Sequence, residues 1–199
     1  MQSFWNERYA QKAYAYGTQP NAFFQQQLTA ITSPGRALFP AEGEGRNAVY
    51  AAEQGWTVKA FDFSASAQKK ALALAQIREV DLSYTLSTIE DFVFGHEQYD
   101  LIGLFFVHVP PVVRSLLHQK TVQALAPGGR LILEAFHPDQ LGLHSGGPKR
   151  EDMLYTADML RQDFSSLHIQ FLEQRTDNLS EGPYHQGEAR LTRLVAQKN

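Results

Sequence analysis

The feature that most constrains this chain is a regular alternation of short apolar runs with helical patterns from residue 36 to residue 136. "RALFP" and "WTVKAFD" read as strands, and "GRNAVYAAEQG" between them as a helix closed by Gly55. "SASAQKKALALAQI" reads as a helix with Ser64 at its N-cap, and "LSYTL" as a short strand. "YDLIGLFFV" is a buried strand. "PPVVRSLLHQKTVQALA" is a helix with proline in its first turn, stopped by Pro127-Gly128-Gly129 before the strand "RLILEAF". Strands alternating with helices in this way predict βαβ units and a parallel sheet covered on both faces.

The ends of the chain differ. "SFWNERYAQKAYAY" and "AFFQQQLTAIT" predict two N-terminal helices separated by "GTQPN". "TADMLRQDF" predicts a short helix. "LHIQFLEQ" and "EARLTRLVAQ" predict a closing pair of strands, at least one antiparallel. Residues 137–155 and 176–188 read as long loops, a length that often marks lids or binding loops. A single domain over 1–199 is expected, with 1–35 as a helical cover segment and 36–199 as the core.

Composition narrows the function classes. With 18 basic and 21 acidic residues the formal charge is −3, so no global field favours nucleic acid or an anionic membrane. The absence of cysteine removes disulfides, thiolate metal sites and a cysteine nucleophile. The seven histidines show no H-x-x-x-H pair, so no metal site is expected. The N-terminus has no apolar core of a secretory signal, and no apolar run nears the ~20 residues that span a bilayer. A soluble, cytoplasmic protein is expected, with no membrane or nucleic-acid partner.

The chemistry centres on "EGEGRNAVYAAEQGWTVKAFDFS". After a strand, Gly43-x-Gly45 lets the backbone turn sharply and approach a ligand, and the helix that follows aims its free N–H groups there. Asp62 ends the next strand, where a carboxylate can accept hydrogen bonds from two ribose hydroxyls. Residues 43–48 satisfy G-x-G-x-x-G/A, a pattern shared by nicotinamide dinucleotide and S-adenosylmethionine sites. A plain strand–helix turn is the structural alternative. The helical N-terminal segment and the closing strand pair favour the methyl donor by analogy of fold.

Five stretches in the same order carry a family resemblance: "FWNERYAQKAYAYGTQPNAF", the glycine-loop segment, "YDLIGLFFVHVP", "LAPGGRLILEAF" and "GGPKREDMLYTADML". Over nearly its whole length the chain resembles the class I S-adenosylmethionine-dependent methyltransferases. It is most similar to small bacterial members related to tellurite-resistance and thiopurine methyltransferases. The resemblance implies an α/β Rossmann-like three-layer sandwich whose seven-stranded, mostly parallel sheet runs 3-2-1-4-5-7-6, strand 7 being antiparallel. It implies S-adenosyl-L-methionine as cofactor and a small-molecule methyl acceptor. By position, Ala41, Gly43 and Gly45 fall in the loop that borders the methionine moiety, Asp62 binds the ribose, and Phe63 packs on the adenine. Thr88 and Ile89 edge the adenine, and Phe105 and Phe106 stand beside the methionine moiety. The family's acid near the end of strand 1 maps to Phe39, the first glycine of its loop to Ala41, and its acid after strand 3 to Thr88.

In-line transfer from a sulfonium requires chiefly that the acceptor be held in position; a base is optional. His108 and Tyr16 are the candidate catalytic residues. His108 is a general base or a loop histidine capping the next helix. Tyr16 is a wall of the acceptor site, with Trp5 and Tyr9, or part of ordinary helix packing. Arg46 is a cofactor-binding candidate through the cofactor carboxylate; otherwise it ties down the N-terminal segment or is solvated. His137, His185 and Tyr184 are lesser candidates. Lys149-Arg150 is an anion guide or one half of a solvated mixed-charge loop. A non-catalytic cofactor-binding protein and a nicotinamide oxidoreductase are the alternative functions.

Overall fold

The computed structural model describes residues 2–94 and 99–199. The chain forms two compact units, Met1–Phe92 with Glu181–Tyr184, and Val93–Ser180 with His185–Asn199. The strands make one seven-stranded sheet in the order β3-β2-β1-β4-β5-β7-β6. The order and the antiparallel seventh strand agree with expectation.

In the first unit, β1 (Arg36–Pro40), β2 (Thr57–Asp62) and β3 (Ser83–Leu86) are parallel, with Leu38 opposite Lys59 and Phe61 opposite Thr85. Ala37, Leu38 and Phe39 are fully buried, which explains why β1 reads as a continuous apolar run. Each such large side chain contributes about 1.5–3 kcal/mol by burial. Helices α3 (Arg46–Glu53) and α4 (Ala65–Ile77) complete the βαβ units. The Ser64 side chain accepts from the Ala67 N–H, confirming the expected N-cap of α4. Helix α1 (Gln2–Tyr9) stops well short of Tyr16, where the helical pattern had pointed. Beyond it, side chains from elsewhere take the backbone groups: Glu44 accepts from the Ala15 N–H and Lys70 donates to the Ala13 carbonyl. Helix α2 (Ala22–Thr29) also ends early, capped at its start by Asn21.

In the second unit, β4 (Tyr99–Phe105) runs parallel to β5 (Leu125–Phe136), and β5 antiparallel to β7 (His185–Gln197). Pro127-Gly128-Gly129 does not separate helix α5 (Pro111–Ala124) from the strand; it lies inside β5 as an irregularity opposite Tyr99 and Leu101. Gly129 is required there because a Cβ would stand 2.7 Å from the Tyr99 carbonyl oxygen. The expected loop at 176–188 is mostly strand. β6 (His168–Glu181) and β7 extend to a three-residue turn at 182–184, where Gly182 adopts φ 64°. The polar side chains that suggested a loop belong to exposed β6 positions. The 137–155 connection is long as expected but tied down: Gln140 donates to Ser145, and Ser145 to the Glu188 carbonyl. Helix α6 (Ala157–Asp163) follows it. No helix among the described residues is long and apolar enough to cross a membrane.

The β5–β7 ladder buries an ion pair. Glu134, fully buried, lies opposite Arg193, which donates to it and, at 3.0 Å, to Asp177. Removing one partner leaves a buried charge uncompensated. Glu134→Ala is expected to destabilise the protein by about 3 kcal/mol, read as a lowered urea midpoint at unchanged slope.

Candidate functional site

The turn after β1 is built from left-handed residues: Ala41 at φ 49°, Gly43 at 64° and Gly45 at 87°. A Cβ on Gly43 would lie 2.8 Å from the Tyr9 hydroxyl, and one on Gly45 2.6 Å from the Ala71 Cβ. Gly43 therefore faces Tyr9, and Gly45 lets the start of α3 pack against α4. Ala41 has no such freedom; its conformation costs about 1–2 kcal/mol.

The N–H groups at the start of α3 are already partnered. One Glu42 carboxylate oxygen accepts from Asn47 and Ala48, each at 2.9 Å. The expectation of a free helix terminus aimed at a ligand is corrected here, because the loop supplies its own carboxylate. Burial pushes the Glu42 carboxyl up to about 7 against the pull of those N–H groups.

Asp62 stands where β2 ends. One carboxylate oxygen accepts from the Gly43 N–H at 3.1 Å and the other from the Ser64 N–H at 2.9 Å. Burial raises its carboxyl to about 6, opposed by the Ser64, Gly43 and Phe63 N–H groups. From β3, the Tyr84 hydroxyl donates to the Gly43 carbonyl at 2.6 Å. Glycine turn, β2 and β3 are thus joined through both polar groups of one peptide residue. Next to Asp62, Phe63 is half-buried. Beyond β3, Ile89 is buried, and Thr88 caps a turn by accepting from the Asp91 N–H. Phe61 and Phe92 stack at 4.0 Å.

Three residues of the loop and first helical turn grip the N-terminal segment. Glu44 accepts from the Ala15 N–H at 2.7 Å and pairs with Lys70 at 2.6 Å. Arg46 donates to the Tyr16 carbonyl and pairs with Glu181 at 2.8 Å. Asn47 accepts from the Asn21 N–H at 2.8 Å. Of the readings open for Arg46, the structure realises the tie to the N-terminal segment, and Arg46 is buried rather than solvated. The Tyr16 hydroxyl accepts from Arg8 at 3.0 Å, and burial raises its phenol further above neutrality. A phenol held protonated in this way is a wall or a donor, not a base. Glu44, Lys70 and Tyr84 do not stand out in the sequence; only the position of Glu44 inside the glycine loop carried a local signal.

In the second unit, His108 uses both ring nitrogens. Nδ1 is 2.7 Å from the Met153 carbonyl oxygen, and Nε2 accepts from the Phe136 N–H at 3.1 Å. Burial holds its pKa down at about 4. In this arrangement neither nitrogen has a lone pair for an acceptor proton, so His108 serves structure rather than the general-base role expected of it. Phe105 ends β4 half-buried. Phe106, at φ 55°, turns its ring onto Phe136 and His185, at 4.7 and 4.4 Å. His137 accepts from the Asp139 N–H, and Arg150 donates to Asp152, the mixed-charge arrangement.

Residues 40–129 match a family model described as a methyltransferase domain. No curated protein matches the chain in sequence. Among solved structures, it is similar to TehB from Haemophilus influenzae at 14% identity and TM-score 0.74, covering 100% of this chain and 67% of that one. It is similar to the N-methyltransferase NodS from Bradyrhizobium japonicum WM9 in complex with S-adenosyl-L-homocysteine, at 14% identity and TM-score 0.72, covering 99% and 97%. It is also similar to magnesium protoporphyrin IX methyltransferase (ChlM) from Synechocystis PCC 6803 with bound SAH, at 16% identity and TM-score 0.69, covering 88% and 80%. At these identities the likeness is one of fold.

The chain has the Rossmann-like fold of these methyltransferases.

The positions that differ from the pattern the resemblance implies acquire physical meaning in this fold. Phe39, standing where the family has an acid, is fully buried and meets Phe24 edge-on at 5.5 Å. The acid that holds the loop is instead Glu42, three residues on.

Two outcomes are expected of this glycine turn. Ala41→Gly relieves the left-handed alanine and raises stability by about 1 kcal/mol, measurable by denaturant titration. Glu42 favours its neutral form in the fold, since its pKa rises from 4.5 to about 7. Its contribution is complete below the lower value and is lost as pH rises through the upper one. Glu42→Gln keeps an acceptor oxygen but cannot ionise. Its stability should therefore fall less than the wild type's between pH 5 and 8, by thermal denaturation.

Proposed function

We propose that the protein is an S-adenosylmethionine-dependent methyltransferase acting on a small-molecule acceptor. The observation that carries this reading is the coupling of Gly43 to Asp62: the glycine turn and the carboxylate at the end of β2 are hydrogen-bonded into one element. The methyltransferase-domain match over 40–129 supports it, as do NodS and ChlM, both crystallised with S-adenosylhomocysteine. In this reading Asp62 accepts from the ribose hydroxyls, and Gly43 and Gly45, with Ala41, form the backbone beside the methionine moiety. Phe63, Thr88 and Ile89 enclose the adenine. Arg46 acts indirectly, by holding the N-terminal segment. The cofactor supplies the electrophilic methyl group. The protein orients the acceptor and excludes water, and needs no base when the acceptor is a thiolate, a carboxylate or a neutral amine.

A second reading, a cofactor-binding protein without turnover, is favoured by one observation: neither His108 nor Tyr16 is arranged to take a proton. Calorimetric titration with S-adenosylmethionine, S-adenosylhomocysteine and NADH tests the cofactor. The methionine cofactors should bind and NADH should not; the reverse result removes this function in favour of an oxidoreductase. Asp62→Asn should weaken S-adenosylhomocysteine about 10- to 100-fold, as for loss of a charged hydrogen-bond acceptor. Ribose hydroxyls donate to the ionised carboxylate, so wild-type affinity should rise as pH passes through about 6 and then level. Turnover across thiol, amine and oxyanion acceptors decides between enzyme and binding protein.

A further inference from the structure

Helix α6 is tied to α5 through a buried histidine that the proposed function does not use. His118, on α5, is only 2% exposed. Its Nδ1 is 2.8 Å from Oδ2 of Asp163, the last residue of α6. The same oxygen accepts from Arg114 Nε at 3.0 Å. Burial opposes it, but His118 and Arg114 hold the Asp163 carboxyl below its ordinary 3.8. An ionised carboxylate only accepts, so His118 Nδ1 carries the proton. The ring packs on Phe164 at 4.5 Å and edge-on against Tyr155 at 5.8 Å. Nε2 has no hydrogen-bond partner among the described residues, and neither has the Thr121 hydroxyl one turn further along α5. The charged and titratable groups that face the ring are Arg114 on α5, Asp163 on α6 and Tyr155 on the connection before α6. A neutral ring suits this setting. A charged one would place a buried N–H at Nε2 with nothing to receive it, beside the Arg114 cation. Burial accordingly pushes the His118 pKa below 6.5 against the pull of Asp163, and Arg114 adds to the push.

We propose that the α5–α6 contact is an acid-released clasp: protonation of His118 at Nε2 frees α6 from α5 while the sheet stays folded. The proposal is independent of the cofactor assignment. Helix α6 is seven residues long, and Leu160 is the residue it buries, so little apolar area resists its local release. A cleft of about 230 Å³ beside the contact, lined by Ser115, His118, Gln119 and Asp163, gives the proton its route. The helix also walls a larger space. Thr156, its N-cap, and Met159 line a cavity of about 570 Å³ together with Pro138 and Leu154. Release of α6 removes that wall, so a molecule held in the cavity at neutral pH is let go in acid. The sign follows from linkage. A group with a lower pKa in the fold contributes fully above its free value, 6.5, and its contribution is lost as pH falls through the folded value. Asp163 stays ionised across that range.

Two measurements on the wild-type protein test this. Proton–nitrogen correlation NMR of the histidine rings reads the tautomer and titration of His118. Hydrogen exchange of the α6 amides, corrected for intrinsic exchange and set against β5, reads the release. His118 should carry its proton on Nδ1 at neutral pH and titrate with a midpoint below 6.5. Protection of α6 should fall on acidification by up to about tenfold per pH unit, the limit for one proton, with β5 changing less. The Met159 methyl resonance should move over the same range. His118→Asn keeps a donor for Asp163 but cannot charge, so its α6 protection should not follow pH there. His108, with a folded pKa of about 4, is common to both proteins and cancels in the comparison. A midpoint at or above 6.5, a proton on Nε2 at neutral pH, or α6 protection that falls only in step with β5 overturns the proposal. So does a pH dependence that survives in a folded His118→Asn. The first three are read without the variant, so its failure to fold does not spare the idea.

Discussion

Buried carboxylates paired with backbone N–H groups are the interaction on which the glycine turn depends. Asp62 binds the turn to the end of β2, and Glu42 closes the start of α3. Both acids lie in surroundings that favour their neutral forms, and in both the hydrogen bonds oppose that pressure. A turn with left-handed residues at 41, 43 and 45 is conformationally expensive. It persists because its donors are satisfied from within and because Tyr84 fixes the Gly43 carbonyl from the neighbouring strand.

The same turn organises the N-terminal segment. Residues 10–21 have no regular helix or strand beyond bends and turns, so their backbone groups need partners from elsewhere. Glu44, Lys70, Arg46 and Asn47 provide them. The Arg46–Glu181 and Lys70–Glu44 pairs are largely shielded from solvent, where a charge without its partner would be strongly unfavourable.

Fold class and strand order were legible because the sheet is written in periodicity. β1 matched its apolar run residue for residue, and Ser64 capped α4 as its position suggested. The errors came where tertiary contacts overrule local pattern. Helical spacing through Tyr16 gave way to hydrogen bonds with Glu44 and Lys70, partners 29 or more residues away in sequence. Polar residues in 176–181 suggested a loop because an exposed edge strand has little apolar signature. Pro127-Gly128-Gly129 looked like a stop, yet the missing side chain at Gly129 serves a close approach of backbones. The spacing of Gly43, Gly45 and Asp62 predicted a sharp turn after β1 and an acid at the end of β2, and both are found there. The hydrogen bond from Tyr84 to the Gly43 carbonyl was not legible, since nothing local to an aromatic residue says which turn its hydroxyl reaches.

The two departures from the family pattern in the turn have different physical characters. Phe39 exchanges a polar role for packing: its ring fills the space toward Phe24 on α2, and the acid that holds the loop is Glu42. That exchange is compensated. Ala41 keeps a side chain at a left-handed position, φ 49°, and the strain remains in the turn. His108 follows the logic of Phe39. A histidine at the end of a central strand is placed for acid–base work, but here it joins the Met153 carbonyl to the Phe136 N–H and orders the long connection after β5. The proposed methyl transfer would tolerate that use of the residue, since positioning would supply much of the rate and an acceptor that is already a thiolate, a carboxylate or a neutral amine needs no base.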